Sequence, residues 1–265
     1  MSGVVGGILI ATLVVGLTGV IIAVLLEIAG EKFKVETDER EVAVREALPG
    51  NNCGGCGYPG CDGLAAAIAQ GTAPVSGCPV GGEAVAKVIA EIMGTEAQMG
   101  ARMTAVVKCA GTCEKAVSQY GYVGPQSCTL AQNNPNGGAK ACAYGCTGFG
   151  DCKAVCPFGA IEIIDGIAVV DKERCKACGK CVAVCPKHLI ELVPYEAKQI
   201  VLCNSKAKGV QVKKACQAGC IGCGLCARNC PAEAVTVTDN LASIDYERCT
   251  SCGTCKEKCP VKIIS

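Results

Sequence analysis

ACQAGCIGCGLCARNCP, residues 215–231, is the stretch whose spacing decides the fold. From Cys220 it runs C-x2-C-x2-C-x3-C-P. Cysteines this close, threaded with glycine, suit one inorganic centre better than long-range disulfides. Pro231 follows the last thiol, where a fixed φ and a missing N–H suit a turn.

The pattern repeats at a constant offset of 74, with Ala141 lying over Ala215 and no gap. ACAYGCTGFGDCKAVCP at 141–157 lies over 215–231, and ERCKACGKCVAVCP at 173–186 lies over ERCTSCGTCKEKCP at 247–260. Between them AIEIIDGIAVVD lies over AVTVTDNLASID. Both read as β-hairpins turning at Asp165-Gly166 and Asp239-Asn240, residue pairs that tolerate positive φ. Each unit resembles a bacterial two-cluster ferredoxin, in which the fourth cysteine of one line ligates the other line's cluster. That resemblance implies the sets Cys220, Cys223, Cys226 with Cys259, and Cys249, Cys252, Cys255 with Cys230. In the upper unit it implies Cys175, Cys178, Cys181 with Cys156. Pro157, Pro186, Pro231 and Pro260 each follow a crossing cysteine.

One line breaks the rule. Phe149 stands where Cys223 stands in the repeat, so a thiolate is missing. Cys142 lies four residues before Cys146, with Gly145 to permit bending, and is expected to substitute. The set is then Cys142, Cys146, Cys152 and Cys185. The alternative is a three-cysteine [3Fe–4S] centre with Cys142 free.

Upstream, NNCGGCGYPGC and a later cysteine supply Cys53, Cys56, Cys61 and Cys78, enough for one more [4Fe–4S] cluster, with zinc as the rival. TDEREVAVREAL (37–48) reads as a short helix capped by Thr37, residues 63–70 as an Ala-rich helix, and 83–93 as an amphipathic helix with Val85, Val88, Ile89 and Ile92 on one face.

The chain has 25 cysteines but only 3% aromatics, no Trp and three Phe, so metal or disulfides must replace ordinary core filling. An odd cysteine count argues against complete disulfide pairing. The single histidine, His188, argues against zinc sites of mixed ligation. No basic block points to nucleic acid. Residues 140–265 hold 17 Lys+Arg against 12 Asp+Glu, extra cations expected to offset cluster charge, with guidance of an acidic partner as the alternative. There is no P-loop and no acid–base constellation, so no substrate chemistry of the chain's own is expected.

Val4 to Leu26 carries no charge, and 23 helical residues at ~1.5 Å each cross a hydrocarbon core of ~30 Å. No basic residue precedes the run, so an uncleaved membrane anchor is expected rather than a signal peptide. Gly7, Ala11 and Gly16 would let another membrane helix approach. Reduced thiols place the bulk of the chain in the cytoplasm.

Taken with ALPGNNCGGCGYPGC, Cys78 and GCTGFGDCKAVCPFGAI, the chain resembles the B subunits of the Rnf complexes, the ion-translocating ferredoxin:NAD+ oxidoreductases. The resemblance covers almost the whole chain and is to the longer members with two ferredoxin units. It implies electron entry from reduced soluble ferredoxin, relay toward other Rnf-type membrane subunits within the lipid, NAD+ reduction elsewhere, and Na+ or H+ transport. The ferredoxin units would be the docking end and the 53–78 site the exit. The rival classes are a metal-binding scaffold without redox role, and an electron relay to another acceptor such as nitrogenase or a redox regulator.

The expected fold is α+β: a single N-terminal transmembrane helix (1–29), a small α-helical [4Fe–4S] module (30–100), a connecting segment (101–139), and two tandem 2[4Fe–4S] ferredoxin-like units (140–195 and 196–265). Five clusters are expected. Cys109, Cys113, Cys128, Cys203 and Cys216 are left over, as buried structural thiols, a disulfide, or ligands of an additional centre. VVKC at Cys109 resembles IVLC at Cys203, and Cys128–Cys142 resembles Cys203–Cys216 in spacing.

Overall fold

The computed structural model describes residues 2–32, 38–97 and 100–265. Helix α1 (Ser2–Lys32) is uncharged from its start to Leu26, with Glu27, Glu31 and Lys32 in its last turns. Its stretch Leu13–Gly30 is long and apolar enough to cross a membrane, and none of it is buried against protein. Leu13, Val15, Ile22 and Leu26 are all exposed. A helix that is apolar all round and unpacked is suited to lipid.

A small helical module follows, made of α2 (Glu39–Ala47), α3 (Cys61–Ala69) and α4 (Gly82–Met93). Asp38 caps α2 by accepting the Arg40 N–H; Thr37, the expected cap, lies outside the described residues. Leu64, Ile68 and Ile89 are fully buried here with Val44, each large side chain contributing ~1.5–3 kcal/mol of transfer energy. The buried face of α4 is Ala86, Ile89 and Ala90. Val88 is 47% exposed, contrary to expectation. At ~100° per residue it points about 150° away from the middle of that stripe, while Val85 and Ile92, at the stripe's edge, pack against the core.

The two ferredoxin units are built alike. After β1 (Met103–Val107), α5 (Cys128–Ala131) and α6 (Asp151–Ala154), the first hairpin pairs β2 (Ile161–Ile164) with β3 (Ile167–Val170). Its turn holds Asp165 at φ 48 and Gly166 at φ 74, the two positive values a type I′ turn requires. Then come α7 (Lys180–Val184), β4 (Ile190–Pro194), α8 (Gly209–Ala215) and α9 (Leu225–Arg228). The second hairpin, β5 (Val235–Thr238) with β6 (Leu241–Ile244), turns at Asp239 and Asn240, φ 51 and 61, before α10 (Thr254–Glu257). Ile161, Ala168, Leu189 and Ile190 fill one core with cysteines. Val235, Leu241, Ala242, Ile263 and Ile264 fill the other.

Segment 101–139 does more than connect. Strand β1 pairs antiparallel with β4, joining Val107 to Ile190. In the second unit Val201 bridges Ile264 in the same way. The Lys108 N–H donates to Leu189 O at 2.7 Å, and the Leu202 N–H to Ile263 O at 2.9 Å. VVKC, at the end of β1, and IVLC, held by a single bridge, are therefore equivalent extended segments, one added to each ferredoxin unit. The Ala110 N–H donates to Leu202 O at 3.0 Å and ties one unit to the other.

Candidate iron–sulfur sites

In the helical module, Cys61 opens α3 and donates its N–H to Asn52 Oδ1 at 2.8 Å, which fixes the thiol at the start of a buried helix. Cys78 Sγ accepts the Gly81 N–H at 3.3 Å. Burial pushes the Cys78 thiol up, and the proximity of Cys61 and Cys53 adds to that. Cys56 packs on the same core.

In the first ferredoxin unit, Cys156, Cys175, Cys178 and Cys181 line one cavity. Cys156 Sγ accepts from Ala160 N, and Cys175 Sγ from Ala177 N and Ala105 N, each at 3.4 Å. The last donor is on β1, so the added strand supports this cradle. Burial, then Cys175 and Cys178, raise the Cys181 thiol to about 11. In the second unit Cys220, Cys223, Cys226 and Cys259 line the equivalent cavity. Burial pushes the Cys255 thiol up, with Cys249 and Cys230 close enough to add to it. Cys252, beside them, is exposed. Its thiol is held low, chiefly by hydrogen bonding to the Thr254 side chain.

The line interrupted by Phe149 is where structure and spacing part. Cys146, Cys152 and Cys185 line a cavity whose fourth thiol is Cys128. Burial and the neighbouring Cys146, Cys128 and Cys185 raise the Cys152 thiol to about 12. The expected substitute, Cys142, faces a different cavity. Phe149, at the position of the missing thiol, packs at a 42° tilt against Tyr122, with ring centroids 4.8 Å apart. Asp151 holds Cys128 in place. Its carboxylate accepts from Cys128 N (2.9 Å), Thr129 N (3.0 Å), Ser127 Oγ (3.0 Å) and Thr129 Oγ1 (3.1 Å). Burial works against ionisation of Asp151, but these donors together lower its pKa. With both oxygens occupied, Asp151 positions a neighbouring thiol and is not itself a ligand. Spacing gave no sign of Cys128. The signal available was an acidic residue directly before ligand Cys152, where the repeat has Leu225.

The donor set fits iron–sulfur clusters. Each cavity presents soft thiols, with backbone N–H groups aimed at several sulfurs, the environment that clusters of this type use. Among the described residues no three His, Cys, Asp or Glu side chains draw together as round a single metal ion. Burial keeps several thiols neutral in the bare chain, so ionisation awaits a cationic centre and cluster binding is coupled to folding.

Cysteine cradles of this kind, behind an apolar helix, define a membrane-associated iron–sulfur electron carrier. Family models agree: an Fe-S cluster family matches residues 48–80, and 4Fe-4S dicluster domains match 138–186, 174–234 and 219–263. The chain is 47% identical to the B subunit of the Na(+)-translocating ferredoxin:NAD(+) oxidoreductase complex of Acetobacterium woodii, over 91% of this chain and 73% of that one. It is 44% identical to the B subunit of the ion-translocating oxidoreductase complex of Methanosarcina acetivorans, over 87% and 88%. It is 41% identical to the B subunit of the proton-translocating ferredoxin:NAD(+) oxidoreductase complex of Clostridium ljungdahlii, over 89% and 84%. The chain belongs to this family, the B subunits of the Rnf complexes, and is an iron–sulfur electron-transfer subunit of an ion-translocating oxidoreductase complex with the other Rnf subunits as partners.

Proposed function

We propose that this chain takes electrons from reduced soluble ferredoxin and conducts them to membrane subunits, for NAD+ reduction coupled to Na+ or H+ transport. Five cysteine sets carry the relay: Cys53/Cys56/Cys61/Cys78, Cys156/Cys175/Cys178/Cys181, Cys128/Cys146/Cys152/Cys185, Cys220/Cys223/Cys226/Cys259 and Cys230/Cys249/Cys252/Cys255. Bound there, [4Fe–4S] clusters supply reversible one-electron chemistry. The chain's residues hold them in fixed order, shield them with apolar packing, and tune them with N–H donors.

One observation carries this reading. The Cys53 loop rests directly on a ferredoxin cradle: a Cβ on Gly55 would lie 2.5 Å from Cys178 O and 2.9 Å from Cys178 Cα. The helical module next to the anchor is thus in contact with the first ferredoxin unit, which supports the module as the exit. Exposed Cys252, at the far unit, supports that end as the entrance. Helix α1 anchors the chain by a single span, and the bulk lies in the cytoplasm where thiols stay reduced.

Cys53→Ser tests the exit role. Membranes carrying it are expected to lose ferredoxin-driven NAD+ reduction while the ferredoxin units still bleach on reduction. Undiminished activity would refute the assignment.

A further inference from the structure

We propose that Cys109, Cys142, Cys203 and Cys216 hold a further iron–sulfur centre, set at the seam of the two ferredoxin units and joining them into one conductor. It rests on the relay reading above, and extends it by one site.

The four thiols line a single cavity of about 230 Å³. Packed protein interiors leave few voids larger than a water molecule. Gly111 keeps the space open: a Cβ there would meet Cys216 Sγ at 3.3 Å and Cys109 Sγ at 3.6 Å. All four cysteines are free, with no disulfide among them.

Backbone pairing delivers each thiol. Cys109 and Cys203 end the two equivalent added segments, each two residues after the paired stretch, one from each unit. Cys142 and Cys216 are held by one short stretch between them. Ala116 bridges Cys216 and Ser118 bridges Lys140. The Val117 N–H donates to Ala215 O at 2.9 Å, and the Ala141 N–H donates to Val117 O at 2.8 Å. Two symmetry-like halves thus give two cysteines apiece.

The sulfurs are furnished as ligands are elsewhere in the chain. Cys203 Sγ accepts from Ser205 N at 3.5 Å and Cys220 N at 3.3 Å. Cys109 Sγ accepts from Cys146 N at 3.3 Å. Each of these thiols therefore accepts a hydrogen bond from the backbone N–H of a cysteine in a neighbouring cradle, one on either side. Lys140 stands at the cavity wall, its Nζ donating to Gly111 O at 2.8 Å and Gly166 O at 2.7 Å. This half-buried cation offsets thiolate charge.

The redox balance is simple. One electron arrives from the Cys220 side and lowers the centre's charge by one. The same electron leaves to the Cys146 side and restores it. The neighbouring sites are the reductant and the oxidant, and no proton or bond is exchanged.

Iron and acid-labile sulfide on anaerobically purified protein give the test. The full chain is expected to carry about twenty-four of each rather than about twenty, at four per cluster. Cys203→Ala should lose about four of each, and Cys113→Ala, which alters an exposed thiol outside the cavity, should lose none. Native mass spectrometry of the unaltered chain gives the count even if Cys203→Ala folds poorly. About twenty in the parent protein, unchanged by Cys203→Ala, overturns the seam centre and leaves the relay reading standing. A count far below twenty overturns both.

Discussion

Cys128→Ala is expected to strip one cluster from the chain, about four iron and four sulfide, and adding Phe149→Cys is expected to restore them. The rescue is the decisive half. Phe149 occupies the position of ligand Cys223 in the repeat, so a thiol returned there recreates the ordinary ferredoxin line. It forgoes the tilted ring contact with Tyr122, worth ~0.5–1.5 kcal/mol, and no longer needs Asp151 to hold a distant segment in place. Cys142→Ala should not respond to Phe149→Cys, because its thiol serves another cavity. A Cys128→Ala chain with its full iron content would return the ligand role to Cys142.

Gly55→Val is expected to break electron delivery to the membrane while leaving every cluster in place. Any side chain at Gly55 meets backbone atoms of Cys178, which cannot rotate aside. Overpacking of this kind costs ~1–3 kcal/mol, and the contact between the helical module and the first ferredoxin unit relaxes by opening. Electron tunnelling falls steeply with distance, so opening this contact slows transfer between the Cys53 site and the Cys178 site. Iron content and reduction of the ferredoxin units should match the parent protein, with ferredoxin-driven NAD+ reduction in membranes falling at least several-fold. Parent-like turnover would mean that electrons do not pass between Cys178 and Cys53.

Local patterns were legible from residues alone. Asp165-Gly166 and Asp239-Asn240 announced both hairpins, and the structure holds all four residues at positive φ. The repeat announced two ferredoxin units, because each short helix begins after a glycine and each crossing thiol precedes a proline. What was not legible is non-local. Cys142 sits four residues from Cys146, yet the pairing of Ser118 with Lys140 turns it toward the seam. Cys128 is 18 residues before Cys146, and only the Asp151 carboxylate brings it in. Segment 101–139 looked like a connection because β1 finds its partner, β4, across some eighty residues of chain. The likeness of VVKC to IVLC was visible, but its meaning depends on Ile190 and Ile264, the strands' partners.

The central claim is that this polypeptide is a wire of thiolate-held clusters. Anaerobic reduction of the intact holoprotein with dithionite, followed by electron paramagnetic resonance, tests it most directly. The protein is expected to be brown, its colour bleaching as signals from several magnetically interacting [4Fe–4S]+ centres appear. A colourless, zinc-rich protein with no such signals would contradict it.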